Sequence, residues 1–170
     1  IAPYLKELGF SVQVERIEGA PPFLFAERIE QEGLPTVLGY GHGDVVDGMD
    51  QSWQQDLSPW TMTETADRLY GRGGADDGYA LFGALTALIA LERQGIPRAR
   101  CVTIIEASEE SGSPDLPFYM EKLTGKIGDV SLVVCLDSGC GDYERLWLTT
   151  SLRGLVGGTL RIDVLEEGVH

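Results

Sequence analysis

Basic residues and histidines are scarce in this 170-residue chain. Its 13 lysines and arginines stand against 27 aspartates and glutamates, there are only two histidines, and the formal net charge is -14. The few basic residues form no cluster, so a nucleic acid backbone or an anionic membrane would be repelled rather than bound. We therefore expect no nucleic acid and no membrane as partner. An acidic excess usually keeps a surface hydrated, but it can also supply carboxylates to a bound cation.

Cysteines and long apolar runs are also few. Cys101, Cys135 and Cys140 are odd in number and lack CxxC spacing, which argues against a disulfide framework and predicts buried free thiols in a reducing compartment. No apolar stretch is long enough to span a bilayer without interruption, and no signal peptide is visible. We therefore expect a cytoplasmic location. The chain opens on Ile1 rather than Met and stops just after a strand-like run, so we interpret it as a fragment.

Strand-like and helix-like segments alternate along most of the chain. Two strand patterns flank the turn GAPP and predict a hairpin near a sheet edge, and a third strand ends at His42. A long polar loop then leads to a helix that is apolar around most of its circumference, which predicts a buried helix. The predicted segments are strands at 10–18, 22–30 and 34–42, a helix at 77–97, a strand at 101–107, a helix at 113–123 and a strand at 130–137. This order predicts an α/β fold, with a mostly parallel sheet and flanking helices.

The pattern changes after Gly141. The stretch RLWLTTSLRGLVGGTLRIDVLEE alternates apolar and polar residues with glycine breaks, as if a second sheet began there. We place a domain boundary near residue 151. Residues 1–150 then belong to the α/β domain, and residues 151–170 form the first strands of a second, α+β domain.

Polar side chains follow the predicted parallel strands where each strand ends. His42 ends one strand, Glu109 and Glu110 follow another, Asp137 ends a third, and Asp76 precedes the long helix. Because the carboxyl ends of parallel strands meet at one edge of a sheet, we expect these side chains to form one cluster. One imidazole with several carboxylates and no thiolate suits a divalent ion of the zinc, manganese or cobalt type.

His42 and Asp44 stand two positions apart in GYGHGDVVDG. On an extended chain such side chains share a face, so Asp44 can accept the far ring N–H of His42 while the other ring nitrogen binds a metal. The alternative is a histidine capped by a nearby turn aspartate. The other motifs have equally plain alternatives: helix-capping aspartates in GRGGADDG, a solvated turn in EESGSP and a capping aspartate in LDSG. Their common place at one sheet edge favours the metal site.

Four motifs together resemble a known family. GHGDVVDG, GRGGADDG, ASEESGS and CLDSG, in this order, resemble the dinuclear zinc hydrolases that include carnosinase, carboxypeptidase G, aminoacylase, acetylornithine deacetylase and succinyl-diaminopimelate desuccinylase. The resemblance implies two divalent ions, zinc by expectation, with manganese or cobalt as alternatives. It implies that His42 is the terminal ligand of one ion and that Asp137 is the remaining protein ligand of the same ion. It also implies that Asp76 bridges both ions and that Glu110 binds the second.

The resemblance also assigns the residues that act on the substrate. Glu109 resembles the general base, Asp44 the residue that orients the histidine, and the peptide between Asp76 and Asp77 is expected to be cis. The implied reaction is hydrolysis of an amide bond in a dipeptide or short peptide by a metal-activated water. Aspartate at position 137 favours the dipeptidase branch. The alternatives are an N-acyl amino acid deacylase with the same metals, and a non-catalytic metal-binding fragment.

Two departures from the family pattern stand out. Gly78-Tyr79 replaces the Lys-Gly that often follows the bridging segment, and the distal histidine ligand of the family is absent from this chain. We therefore expect the parent protein to be an enzyme and this piece by itself to be inactive. His170 in VLEEGVH resembles a lid histidine that stabilises the oxyanion in the partner subunit of a homodimer, with a surface histidine as the alternative. The resemblance thus implies homodimerisation through the second, lid domain.

Overall fold

The structure is a computed structural model that describes residues 1–31, 33–165 and 167–168. Three α-helices and seven strands are present among these residues. The helices are α1 (Ala2–Glu7), α2 (Tyr79–Arg93) and α3 (Leu116–Ile127). The strands are β1 (Ser11–Glu15), β2 (Phe23–Arg28), β3 (Thr36–His42), β4 (Thr63–Glu64), β5 (Leu69–Tyr70), β6 (Arg100–Glu106) and β7 (Val130–Cys135).

Five strands form one sheet in the order β1-β2-β6-β3-β7. β1 and β2 form an antiparallel hairpin at one edge, β2 pairs antiparallel with β6, and β3 lies parallel between β6 and β7. The predicted α/β fold and the hairpin at the sheet edge are therefore confirmed. The β3–β6 register places His42 opposite Glu106, so both strands end at the same edge.

The sheet buries apolar side chains on both faces. On one face α3 packs through Tyr119, Leu123 and Ile127 against strand residues that include Phe23 and Val102. The other face holds a cluster contributed by α1, α2 and the sheet: Leu5, Phe10, Ala26, Leu81, Leu85 and Ile105. These two clusters hold the strands in place and so fix the edge at which β3 and β6 end.

Helix α2 is less buried than its composition predicts. Only Ala80, Leu81 and Leu85 are buried, whereas Phe82 is 48% exposed. A helix lying on a sheet covers only the stripe that faces the strands, so apolar residues on its other side need a further layer to bury them. The expectation of a buried helix is therefore wrong for this chain. The expectation of buried thiols is wrong as well, because Cys101 is only partly buried and Cys135 and Cys140 are exposed.

The long loop after β3 contains little regular structure. Residues 43–78 include a 3-10 turn at Asp50–Ser52 and the two-stranded sheet of β4 and β5. The indole of Trp53 donates to the carbonyl of Gly48 at 2.8 Å, and the Arg72 guanidinium lies 5.9 Å from the centre of the Trp53 ring. These contacts tie the start of the loop to its end, just before the segment that carries Asp76.

The chain divides into two compact units, Ile1–Asp137 and Ser138–His170. In the part of the second unit that the structure describes, there is no helix and no strand, although strands were expected in residues 151–170. A strand needs a hydrogen-bonded partner, and alternation of apolar residues does not supply one. The assignment of residues 151–170 to a second domain stays a prediction. Among the described residues, no helix is long and apolar enough to cross a membrane.

Candidate metal centre

His42 is buried at the carboxyl end of β3. Its backbone N–H donates to Oδ2 of Asp77 at 3.2 Å, and the next residue, Gly43, donates its N–H to the carbonyl of Glu106 at 2.8 Å. Gly41 permits this approach, because a Cβ at that position would lie 3.0 Å from Asp77 Oδ2. The end of β3 is thus held on both sides, and the imidazole has a defined direction.

One nitrogen of the imidazole faces three carboxylates. Nε2 of His42 lies 3.1 Å from Asp76 Oδ1, 3.7 Å from Asp137 Oδ2 and 4.0 Å from Glu109 Oε2. One ligand atom each from His42, Asp76 and Asp137 lie within 4.8 Å of one another. The structure therefore brings together three of the four predicted metal ligands, from three separate segments of the chain.

The other ring nitrogen is held by Asp44, but not in the predicted way. Nδ1 of His42 lies 3.0 Å from the backbone carbonyl of Asp44 and 3.5 Å from its carboxylate. Since a carbonyl oxygen only accepts, Nδ1 donates to it, and Nε2 faces the carboxylates. The expectation that the Asp44 carboxylate accepts this ring N–H is therefore wrong, because the backbone carbonyl of the same residue accepts it.

The Asp44 carboxylate holds the Glu109–Ser111 turn instead. Its Oδ1 accepts the backbone N–H of Glu109 at 3.2 Å and its Oδ2 that of Glu110 at 3.0 Å. The Glu109 side chain is directed towards His42, whereas the Glu110 carboxylate is outside the three-residue group in the described part of the chain. One aspartate thus connects the histidine segment to the glutamate pair.

Two adjacent aspartates leave the glycine-rich turn in different directions. The Asp76–Asp77 peptide is cis, as the resemblance implies. Asp76 is largely exposed and turns towards the imidazole, whereas Asp77 is buried and accepts the His42 backbone N–H. The second oxygen of Asp77, Oδ1, is buried without a hydrogen-bond partner in the structure. Sequence reasoning gave Asp77 no side-chain role; the only sign of one was its place beside Asp76.

The residue after this turn also contributes to the site. The hydroxyl of Tyr79 donates to the backbone carbonyl of Leu136. Leu136 directly precedes Asp137. The tyrosine therefore ties the start of α2 to the segment that carries one of the candidate ligands.

The pKa values of the cluster reflect its excess of negative charge. Burial raises the pKa of Glu109, and the charges of Asp137 and Glu110 raise it further, against the opposing effect of His42. Burial also raises the pKa of Asp77. For His42 burial acts in the opposite direction, but the hydrogen bond to the Asp44 carbonyl and the charges of Asp137 and Glu109 leave its pKa raised. All three groups hold a proton more tightly than in water.

This cluster fits a divalent cation. Across residues 1–31, 33–165 and 167–168, no lysine or arginine forms an ion pair with its carboxylates. Adjacent carboxylates without a positive partner repel one another, and a cation removes that cost. A neutral imidazole with carboxylate oxygens is a donor set that zinc, manganese and cobalt accept.

A second buried acid was missed by sequence reasoning. Glu106, the last residue of β6, is 2% exposed and accepts hydrogen bonds from three hydroxyl groups. Its signal in the sequence is a single charge at the end of the apolar run CVTII. His170, the predicted oxyanion donor, lies outside the described residues.

Comparison with known proteins gives a consistent family. The model of Peptidase family M20/M25/M40 matches residues 38–144. Probable di- and tripeptidase DUG2 of Saccharomyces cerevisiae is 33% identical over 155 residues, which cover 85% of this chain and 17% of that protein. Beta-Ala-His dipeptidase of Mus musculus is 34% identical over 155 residues, covering 88% of this chain and 31% of that protein.

A solved structure shares the fold. An M20 family metallo-carboxypeptidase from Sulfolobus solfataricus superposes with a TM-score of 0.69 at 30% identity, covering 81% of this chain and 32% of that one. The chain thus spans between 17% and 32% of the length of these three proteins. The range that the family model matches, residues 38–144, spans the stretch that carries His42, Asp76, Glu109, Glu110 and Asp137.

Proposed function

Because the chain belongs to Peptidase family M20/M25/M40, we propose that it forms part of a metal-dependent hydrolase that cleaves the amide bond of dipeptides or short peptides. The carrying observation is the buried His42, whose Nε2 faces Asp76, Asp137 and Glu109 within 4.0 Å. The names of the dipeptidase relatives support the choice of substrate.

The residues at this edge divide into ligands and a base. His42, Asp76 and Asp137 would hold one divalent ion, and Asp76 and Glu110 would hold a second. Zinc is the expected metal, with manganese and cobalt as alternatives. When bound, such ions lower the pKa of a water molecule and polarise the carbonyl of the substrate.

Glu109 is the residue that moves the proton. Its carboxylate is partly exposed, faces the same space as the metal-ligating atoms, and has a raised pKa because of burial and neighbouring acids. A carboxylate with a raised pKa is a stronger base, so Glu109 can accept the proton of the attacking water and donate it to the leaving amine. Its short distance to His42 supports this role.

Asp44 orients both the ligand His42 and the base Glu109. Its carbonyl keeps the proton of His42 on Nδ1, and its carboxylate fixes the backbone of Glu109 and Glu110. Asp44 is thus a positioning residue that contacts both the ligand His42 and the turn that carries the base Glu109. Homodimerisation through a lid domain, the role of His170 and a cytoplasmic location stay predictions.

Replacement of the base tests the proposal. In the full-length protein, Glu109→Gln should lower kcat for dipeptides by about 10²- to 10⁴-fold, because a carboxamide accepts no proton. Metal content, measured by elemental mass spectrometry, should stay unchanged. Glu121→Gln, an exposed glutamate on α3, is the matched control and should keep full turnover.

A substrate panel completes the test. Dipeptides should be cleaved faster than N-acylated amino acids of equal side chain. The reverse order would move the protein to the deacylases. Full turnover by the Glu109→Gln protein would instead remove the proposed base.

A further inference from the structure

Glu106 is a buried acid that the proposed reaction does not use. Its Oε1 accepts the Tyr40 hydroxyl at 2.5 Å and the Ser113 hydroxyl at 2.9 Å, and its Oε2 accepts the Ser108 hydroxyl at 3.3 Å. In the part of the chain that the structure describes, Glu106 forms no ion pair with lysine or arginine. Burial of a carboxylate without a cation is costly unless its oxygens are hydrogen-bonded, and here hydroxyl groups serve that purpose.

Two of the three hydroxyls flank the turn that carries Glu109. Ser108 precedes the turn and Ser113 follows it, and the backbone N–H of Ser113 donates to the Ser108 carbonyl at 2.9 Å. Ser113 has a positive φ of 53°, a conformation that non-glycine residues seldom adopt, and its hydroxyl is directed at Glu106. Glu106 therefore contacts both ends of one short loop.

Tyr40 connects the same carboxylate to the neighbouring strand. It lies on β3, two residues before His42, and its ring packs beside the core cluster under α3. Burial and the hydrogen bond to Glu106 raise the pKa of Tyr40, so its hydroxyl keeps the proton that it donates. The carboxylate thus links the strand of the histidine with the loop of the base.

We propose that Glu106 is a positioning residue that holds the 108–113 loop so that the Glu109 carboxylate faces His42. Two acids then fix this loop from different sides: Asp44 binds the N–H groups of its turn, and Glu106 binds the side chains at its two ends. The proposal rests on the proposed function only in taking Glu109 as the base. A small displacement of a reacting group can lower a rate about 100-fold, so such anchoring has a catalytic effect.

The rival explanation is a buried polar cluster that only adds stability. The two differ in what they predict for the amides of Glu109 and Glu110. If Glu106 holds the loop, its loss should free these amides from Asp44 locally. If Glu106 only adds stability, its loss should lower the melting temperature without a local change at the loop.

Hydrogen exchange and kinetics of the full-length protein separate these explanations. In Glu106→Ala, the amides of Glu109 and Glu110 should exchange at least about tenfold faster, because the loop opens locally. For dipeptides, kcat should fall by about 10- to 100-fold, the range for groups that orient a ligand or base, with little change in KM. Glu106→Gln should regain much of both, since its amide oxygen can still accept from Tyr40 and Ser113.

Milder variants cover the case in which Glu106→Ala does not fold. Tyr40→Phe and Ser113→Ala each remove one donor and leave the carboxylate in place, so each should show a smaller change of the same kind. The matched control is Tyr119→Phe, which removes another buried hydroxyl that donates to the Pro21 carbonyl at 2.6 Å, on α3. This control should lower the melting temperature and leave exchange at Glu109 and kcat unchanged.

The possible failures are distinguishable. Unchanged exchange and unchanged kcat in Tyr40→Phe, Ser113→Ala and any folded Glu106→Ala would overturn the positioning role, whatever happens to the melting temperature. An inactive wild-type protein, or an active Glu109→Gln protein, would instead overturn the proposed function. The exchange measurement would still test Glu106 in that case, because it needs no substrate.

Discussion

The two ends of strand β6 differ in whether their acidic side chains are paired with arginine. At its beginning, Arg100 binds the Glu27 carboxylate at 2.7 Å and the Ile127 carbonyl at 2.6 Å, and Arg98 pairs with Glu30 and Glu92. At its end, Glu106 and the acids around His42 form no ion pair with lysine or arginine among the described residues, and His42 is the one basic side chain beside these acids. These ends are about 20 Å apart, at about 3.3 Å per residue.

The pKa values show the same contrast. The hydrogen bond from Arg98 lowers the pKa of Glu92, whereas burial raises the pKa of Glu109. An acid beside a base is stabilised in its charged form, and an acid buried among acids is not. The chain has few basic residues and places several of them at the far end, so the charge of the site is left for a cation.

The largest expected effect is the loss of metal binding. Asp76→Asn should weaken zinc binding by about 100-fold or more, above the 10- to 100-fold cost of losing a residue that merely orients a ligand. Isothermal titration calorimetry of the full-length protein measures it. Asp67→Asn, which changes another exposed aspartate of the same loop, is the control and should bind zinc normally. Equal zinc affinities of the two variants would mean that the group of His42, Asp76 and Asp137 does not bind the metal.

Metal removal should lower the free energy of unfolding only through the residues at the end of β6, where the candidate metal centre lies. At a zinc concentration about 100 times the dissociation constant, binding adds about 2.7 kcal/mol to the free energy of unfolding. Thermal melts with and without a chelator should therefore differ in the wild type and in Glu92→Gln, and coincide in Asp76→Asn. A chelator effect that persists in Asp76→Asn would place the stabilising ion elsewhere.

The two ends should respond to pH with opposite sign. Because the pKa of Glu109 is raised in the folded state, its contribution to stability is present at low pH and lost as pH rises through that pKa. For Glu92, whose pKa is lowered, the contribution is present at neutral pH and lost as pH falls. In metal-free protein at pH 8, Glu109→Gln should thus raise the free energy of unfolding and Glu92→Gln should not, as measured by urea unfolding.

The smallest expected effect is at the beginning of β6, where the acids are paired with arginines. Glu27→Gln removes the charge that Arg100 binds, and partly exposed ion pairs contribute at most about 1 kcal/mol. The melting temperature should fall slightly, while zinc affinity and kcat should stay at wild-type values. A loss of kcat in this variant would show that the ion pairs at the beginning of β6 influence the candidate metal centre at its end.

Much of the fold and part of the site could be predicted. The hairpin, the parallel strands and helices α2 and α3 follow from apolar periodicity and turn residues, which are local properties. The meeting of His42, Asp76 and Asp137 follows from strand ends sharing one sheet edge. The burial of α2 could not be read in the same way, because periodicity shows that a face is apolar but not whether another layer covers it.

The sequence by itself determined which groups reach the sheet edge: one histidine, the paired aspartates, the paired glutamates and Asp137, each placed by the end of a strand or the start of a helix. Only the tertiary structure decided which atoms meet. It directed the Asp44 carbonyl, rather than its carboxylate, to the His42 ring. It also placed the Asp77 carboxylate where it accepts the His42 backbone N–H, and it buried Glu106 among three hydroxyls. The reason is that hydrogen bonds depend on distances of a few tenths of an ångström, which packing between distant segments sets and no local pattern encodes.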